Sequence, residues 1–161
     1  MVFSAGELCC ASDACVLIDT AVGETAYTWD KIPHVTEVSF TEAVNAPTLV
    51  TSSTAGQEQS VCGSIKTTGN LAIACHGGTE PGFLCANYKY RIRWALDCDQ
   101  IWTGGAVVTN PTAGQYFEAV VRITNVPVSF NIAGNQAVIY NYGWELVEWV
   151  ASGTCQTASE V

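Results

Sequence analysis

The run Tyr88–Leu96 alternates without a break: Tyr88, Tyr90, Ile92, Trp94 and Leu96 take one side, and Lys89, Arg91 and Arg93 the other. A period of two belongs to a β-strand with one apolar face. The same pattern recurs along the chain. Val35–Phe40, Tyr116–Thr124 and Gln136–Val150 are rich in β-branched and aromatic residues. In the last of these, Tyr140, Tyr142, Trp144 and Leu146 share one face, and Asn141 and Glu145 the other. Cys15–Ile18 and Thr25–Trp29 read as short strands. Val61–Lys66 and Leu71–Cys75 read as a hairpin around Thr67–Asn70, with Gly69 free to take a positive φ at its turn. One short helix is expected after His76, with Thr79 as N-cap and Glu80-Pro81 in its first turn. Gly104–Gly114 reads as a loop. The sum is a mainly β chain of about eight strands, an antiparallel β-sandwich or barrel with one short helix.

Residues Glu42–Ser60 differ in kind. They are rich in Ser, Thr, Ala and Gly and hold few large apolar groups, so they read as one long loop. Loops beyond about 12–15 residues in a compact domain are commonly functional. Residues 1–24 are small and acidic with no clear period. No repeat or linker divides the 161 residues, which fit a single domain spanning 1–161.

Charge narrows the function. Only 13% of residues are charged, against roughly 25% in ordinary soluble chains. A charge-poor surface suits a permanently assembled subunit. Six Lys and Arg against 15 Asp and Glu give a net charge of −9. That excludes ordinary basic nucleic-acid-binding modules and disfavours anionic membranes. No apolar stretch is long enough to cross a bilayer as a helix. The N-terminus lacks the positive start of a secretory signal, so the chain is expected to begin near Met1 and to fold where it is made.

Eight cysteines are many for a chain without a signal. Bridges that tie down the Cys9, Cys10 and Cys15 cluster are expected, with other cysteines buried as small apolar groups. There is no C-x-x-C spacing and only two histidines, His34 and His76, so no metal is expected. No catalytic signature appears, and no enzyme activity or cofactor is expected. Asp97 and Asp99 flank Cys98 and read as a solvated turn; His34 reads as an exposed turn residue. Lys89, Arg91 and Arg93 read as a solvated sheet face or, alternatively, as a pairing face for an acidic neighbour in an oligomer.

Three stretches resemble the tail tube (major tail) proteins of long-tailed bacteriophages. One is Trp29-Asp30-Lys31-Ile32-Pro33-His34-Val35-Thr36-Glu37-Val38-Ser39-Phe40. The next is Ala46-Pro47-Thr48-Leu49-Val50-Thr51-Ser52-Ser53, which lacks the acid that the family carries near position 48. The third runs from Gly114 to Thr124 and, after Gly134-Asn135, from Ala137 to Trp149. The likeness covers roughly residues 25–150 and is one of strands and punctuation rather than an invariant motif.

The resemblance implies hexameric rings that close an inner β-barrel and stack into a hollow tube conducting viral DNA. It implies assembly in the host cytoplasm, a final place in the virion tail, and tail partners such as terminator, sheath or baseplate, with no membrane. The long loop, at Ala46, Pro47, Thr48, Leu49, Val50 and Thr51, would make contacts between subunits. The polar members of the inner-face strands, Glu37, Ser39, Glu118, Thr124, Asn141 and Glu145, would line the lumen. Arg122 shares the parity of Glu118 and would cancel part of its charge. An acidic lumen offers DNA no attractive well. Two other classes fit the same residues. One is a capsid decoration or cement protein. The other is a disulfide-rich extracellular carbohydrate-binding β-sandwich, which would show its tryptophans on one flat exposed face and its cysteines fully paired.

Overall fold

The computed structural model describes residues 13–19, 27–45, 48–49, 59–60, 64–74, 84–126, 128–129 and 138–151. In chain order the strands are β1 (Cys15–Asp19), β2 (Trp29–Lys31), β3 (Val35–Asn45), β4 (Thr48–Leu49), β5 (Gln59–Ser60), β6 (Ser64–Ala74), β7 (Lys89–Ala95), β8 (Trp102–Thr103), β9 (Ala106–Val107), β10 (Phe117–Asn125), β11 (Val128–Ser129) and β12 (Ile139–Ala151). Eight of them form one sheet in the order β2-β1-β7-β10-β12-β6-β3, with β11 also on β12. Every pairing is antiparallel. The mainly β, antiparallel expectation therefore holds.

The sheet is rolled. β2 and β3 form its opposite edges, yet only Ile32, Pro33 and His34 separate them in sequence. The four Cα steps from Lys31 to Val35 span at most about 14 Å, so the two edges must approach each other. Side chains report the same curl. Phe40 of β3 lies 6.1 Å from the ring of Trp94 on β7, 5.6 Å from Phe117 and 5.5 Å from Trp149. Within the sheet, β10, β12 and β6 stand between β3 and β7.

The inner face is the apolar face read from alternation. It packs Val16, Ile18, Leu71, Ile73, Ile92, Ala119, Val121, Ile123, Tyr140 and Tyr142 with the two buried indoles, Trp94 and Trp144. A smaller cluster lies on the other face, at the β1 end. There Cys15, Leu17, Ala95 and Ile101 are covered by Trp29, Trp102, Val107 and Tyr116.

Several local readings change. The proposed turn Thr67–Asn70 is the middle of β6, which runs straight from Ser64 to Ala74. Gly69 is needed for closeness rather than for a positive φ: a Cβ there would overlap the Trp144 ring and the Ser39 carbonyl. β3 continues to Asn45, so Glu42–Asn45 are strand, not loop. β4 then pairs with β5, Thr48 opposite Ser60 and Leu49 opposite Gln59. The loop at Gly104 begins with a tight hairpin. Gly104 and Gly105, both at positive φ, join β8 to β9, as a two-residue turn matched to strand twist requires. β2 starts at Trp29, the last residue of the strand expected over Thr25–Trp29. Asp97 caps a 3-10 turn at Cys98–Gln100, accepting from the Asp99 amide. His34 sits in the left-handed region at φ 55°, and its carbonyl accepts from the Ala74 amide. The helix expected at Thr79–Pro81 lies outside the described residues.

Cys15, one of the three N-terminal cysteines, is bridged to Cys98, 83 residues away. Cys9 and Cys10 lie outside the described residues. The bridge closes a long segment and ties the first strand to the turn that follows β7. Loop-closure entropy of this size is worth about 4–5 kcal/mol. Cys98→Ser should lower stability by roughly that amount in denaturant titration, and reductant should lower the Tm of the native chain more than that of the variant.

Tyr142 supplies a second test. Its side chain is fully buried, and among the described residues its hydroxyl has no well-formed hydrogen-bond partner. Burial raises its pKa above the usual tyrosine value, and the nearby Leu84 backbone offsets that only in part. An unsatisfied buried hydroxyl is costly. Tyr142→Phe should therefore be neutral or stabilising by up to about 1 kcal/mol. Because the folded-state pKa is raised, the Tyr142 contribution holds below the ordinary phenol pKa and fades as pH rises beyond it. The stability gap between wild type and Tyr142→Phe should widen at the alkaline end of a pH series of melts.

Candidate functional site

The outer face of the rolled sheet collects the polar residues singled out by alternation. Strand register sets them in rows. Thr41, Thr68, Glu145, Arg122 and Lys89 stand side by side across β3, β6, β12, β10 and β7. Ser39, Asn70 and Gly143 form the next row, and Glu37, Ala72 and Asn141 the one after. Thr124 follows Arg122 on the same parity and lies beside Gly143. All six residues predicted to line a lumen thus fall on one face of one sheet.

Glu118 does not line anything. Its side chain is 2% exposed and is held between two guanidinium groups. Arg93 Nε donates to Oε2 at 2.8 Å, while Arg91 bonds the other carboxylate oxygen. Arg91 stacks 4.0 Å over Tyr27, and Arg93 lies 4.5 Å over Trp29 and 5.4 Å from Tyr116. Arg93 also donates to the Val108 carbonyl at 3.3 Å. On the basic face of β7, Arg91 and Arg93 are therefore not solvated, while Lys89 is exposed. Its acidic partner belongs to the same chain, one strand away: Glu118 stands directly opposite Arg93. A carboxylate is buried at tolerable cost only where charge and hydrogen bonds compensate it, and this site compensates both oxygens. Arg122, assigned by parity to cancel Glu118, instead pairs with Glu145 across the β10–β12 ladder at 3.3 Å.

What remains on β12, β6 and β3 is half-buried or exposed, small and acidic. Asn141 and Glu145 are half-buried; Glu37, Ser39 and Thr124 are exposed. Ser39 Oγ donates to Glu37 Oε1 at 2.9 Å. Residues Thr68, Asn70 and Ala72 add no charge.

The second surface is a projecting ribbon. β6 pairs with β12 only from Ala74 to Thr68, whereas it pairs with β3 as far as Ser64 opposite Asn45. Beyond Thr68 the two strands leave the sheet together. Val44 stands opposite Ile65, and the two are 67% and 68% exposed. The β4–β5 pair prolongs the same hairpin. Of the predicted contact residues, Thr48 and Leu49 lie in β4; Ala46, Pro47, Val50 and Thr51 lie outside the described residues. Sequence reading placed this segment as special but missed its strands, because its Asn, Gly, Pro, Ala and Glu residues carry little β signal. Val44 and Ile65 were the available clue.

Solved structures share this architecture. A chain of the extracellular contractile injection system determined as the PVC sheath/tube terminator in the extended state superposes with TM-score 0.57 at 13% identity, covering 93% of this chain and 100% of that one. A chain of the PVC sheath-tube complex in the extended state gives 0.52 at 13% identity, with 88% of each chain covered. A chain of the SPP1 tail tube gives 0.51 at 12% identity, covering 88% of this chain and 77% of that one. The chain has the tail-tube fold. No protein-family model matches the sequence, and neither does any curated protein. The tail-tube fold expected from the Trp29–Phe40 segment and the C-terminal strands is thus the one found.

Breaking the buried cluster should be expensive. Glu118→Ala leaves two largely desolvated guanidinium groups facing each other and should cost about 3–5 kcal/mol. Glu145→Ala removes a partly exposed pair and should cost under about 1 kcal/mol. Chemical denaturation of the two variants should separate these magnitudes.

Proposed function

We propose that this chain is a structural subunit of a viral tail, assembling into six-membered rings that stack into a hollow tube through which viral DNA passes. The observation that carries the proposal is the ribbon that leaves the sheet at Thr68. A two-stranded hairpin is marginal alone in water, and this one displays Val44 and Ile65 to solvent. Such an arm gains stability by lying against another copy. The tail-tube fold and the charge-poor composition support the same reading. Of the predicted contact loop Ala46–Thr51, the described residues Thr48 and Leu49 form β4, which pairs with β5.

The outer face of β3, β6 and β12 is the proposed lumen lining, through Glu37, Ser39, Thr124, Asn141 and Glu145. Its described charges are acidic apart from Lys66 on the arm and Arg122, which Glu145 engages. DNA sliding along it meets repulsion rather than counterion-releasing contacts. Assembly would take place in the host cytoplasm, with terminator, sheath or baseplate proteins as tail partners, and the chain's role would be architectural rather than catalytic. The carbohydrate-binding alternative loses its support, because all five tryptophans are buried or half-buried and Cys85 is a free thiol.

Purified protein should form rings or tubes in negative stain. Deleting Pro47–Gln57 should abolish them while the β-type circular dichroism persists; a stable wild-type monomer would overturn the reading. Glu37→Lys with Glu145→Lys should leave tubes intact yet slow DNA ejection, more so at low salt where screening is weak. Loss of rings in that double variant would instead make those acids subunit contacts.

A further inference from the structure

The connection from β7 to β10 folds back over the outer face instead of turning tightly. Its first part, Asp97–Val108, holds the 3-10 turn and the β8–β9 pair. This flap covers the smaller core. Ile101 is fully buried there with Cys15, Leu17 and Ala95, and Trp102 and Val107 pack against them. The larger core of the rolled sheet includes no residue of the flap.

The flap is weakly tied. β8 and β9 pair with each other and stand outside the eight-stranded sheet. The flap's backbone bonds run within it, from Gln100 to Asp97, Ile101 to Cys98 and Val108 to Ile101. Among the described residues, no backbone hydrogen bond joins it to the sheet. Beyond apolar contact, two links do. Arg93 donates to the Val108 carbonyl at 3.3 Å, and Cys98 is bridged to Cys15 on β1. A segment without ladder bonds to its neighbours belongs to the low-stability end of a structure.

We propose that the Cys15–Cys98 bridge is a redox latch: oxidised, it holds the flap Asp97–Val108 on the outer face, and reduced, it lets the flap open as a unit while the rolled sheet stays folded. The step is thiol–disulfide exchange with a dithiol reductant. Cys15 is 5% exposed, whereas Cys98 is half-buried between the exposed Asp97 and Asp99, so the attacking thiolate reaches Cys98 Sγ. A new S–S bond forms there, the Cys15–Cys98 bond breaks, and Cys15 leaves as a thiolate that takes up a proton. The second thiol of the reductant then attacks its own sulfur on Cys98 and frees Cys98 as a thiol. The reductant departs as a disulfide, having passed two electrons to the chain. Opening breaks the Arg93–Val108 bond and bares Cys15, Leu17 and Ala95. Reducing surroundings thus leave the flap free, and oxidising ones latch it. The latch goes beyond the tail reading and does not depend on it.

Native-state hydrogen exchange tests it on the full chain, oxidised or treated with dithiothreitol, over a series of low denaturant concentrations. Reduction should speed exchange at Val108 and across β8–β9 about tenfold or more, at rates that barely change with denaturant, as local opening requires. Amides of β6, β10 and β12 should keep the steep denaturant dependence of global unfolding. Cys98→Ser without reductant should reproduce the pattern. Flap rates that do not change on reduction would overturn the latch. So would flap amides that share the denaturant dependence of the core, since the flap would then open only when the whole chain unfolds. Loss of protection throughout the reduced sheet would overturn it too, because the bridge would then hold the fold rather than the flap. Each of these results leaves the tail reading standing, and a wild type that never forms rings would end that reading without touching the latch.

Discussion

The three-residue link Ile32–His34 sets the terms for the rest of the molecule. It joins opposite edges of an eight-stranded sheet, so the sheet must roll. Rolling creates an inside, and the inside collects the aromatic groups. Trp94 and Phe117 stack at 5.4 Å with their planes 10° apart, while Phe40 meets both edge-on from across the seam. Offset and edge-to-face arrangements are favourable beyond simple burial. The roll also demands close approach at one point, and Gly69 supplies it by giving the Trp144 indole space that any Cβ would take.

A rolled single sheet has an outer face to account for, and this chain divides it in two. At the β1–β7 end the outer face becomes a second small core, closed by Trp29, Trp102 and Tyr116 and stapled by the Cys15–Cys98 bridge. Glu118 sits at the boundary. Removing two guanidinium groups and a carboxylate from water is costly, and hydrogen bonds together with aromatic faces offset that cost. The cluster consumes two of the chain's six bases. That leaves the rest of the outer face, on β12, β6 and β3, with carboxylates and small polar groups. The acidity of the proposed lumen face is thus partly a consequence of where the bases are spent in folding.

The strands were legible in the sequence wherever one face was apolar. β7, β10 and β12 announced themselves because alternate residues, such as Ile92 and Trp94 or Tyr142 and Trp144, had to be buried. β6 was misread as a hairpin because Thr67–Asn70 carries turn-forming residues, and only the packing of Trp144 against Gly69 explains why a strand continues through them. The tail-tube fold was legible through the Trp29–Phe40 segment. Strand register sets Glu37, Ser39, Glu118, Thr124, Asn141 and Glu145 on one face. Parity could not tell that Glu118 has partners, because Arg91 and Arg93 come from a strand some 25 residues earlier in the chain; pairing across strands is a property of register, not of local pattern.

The two edges of the sheet are unlike, and the difference bears on assembly. β2 is three residues long, contains Asp30 and Lys31, and is followed by Pro33. Short length, charge and proline are the means by which β proteins discourage edge pairing. β3 is neither short nor broken by proline, and its charges are the two carboxylates Glu37 and Glu42. It is 11 residues long, holds neither lysine nor proline, and is exposed over most of its length. A monomer with such an edge courts aggregation. In a subunit whose edge is covered by a neighbour the same strand is an asset.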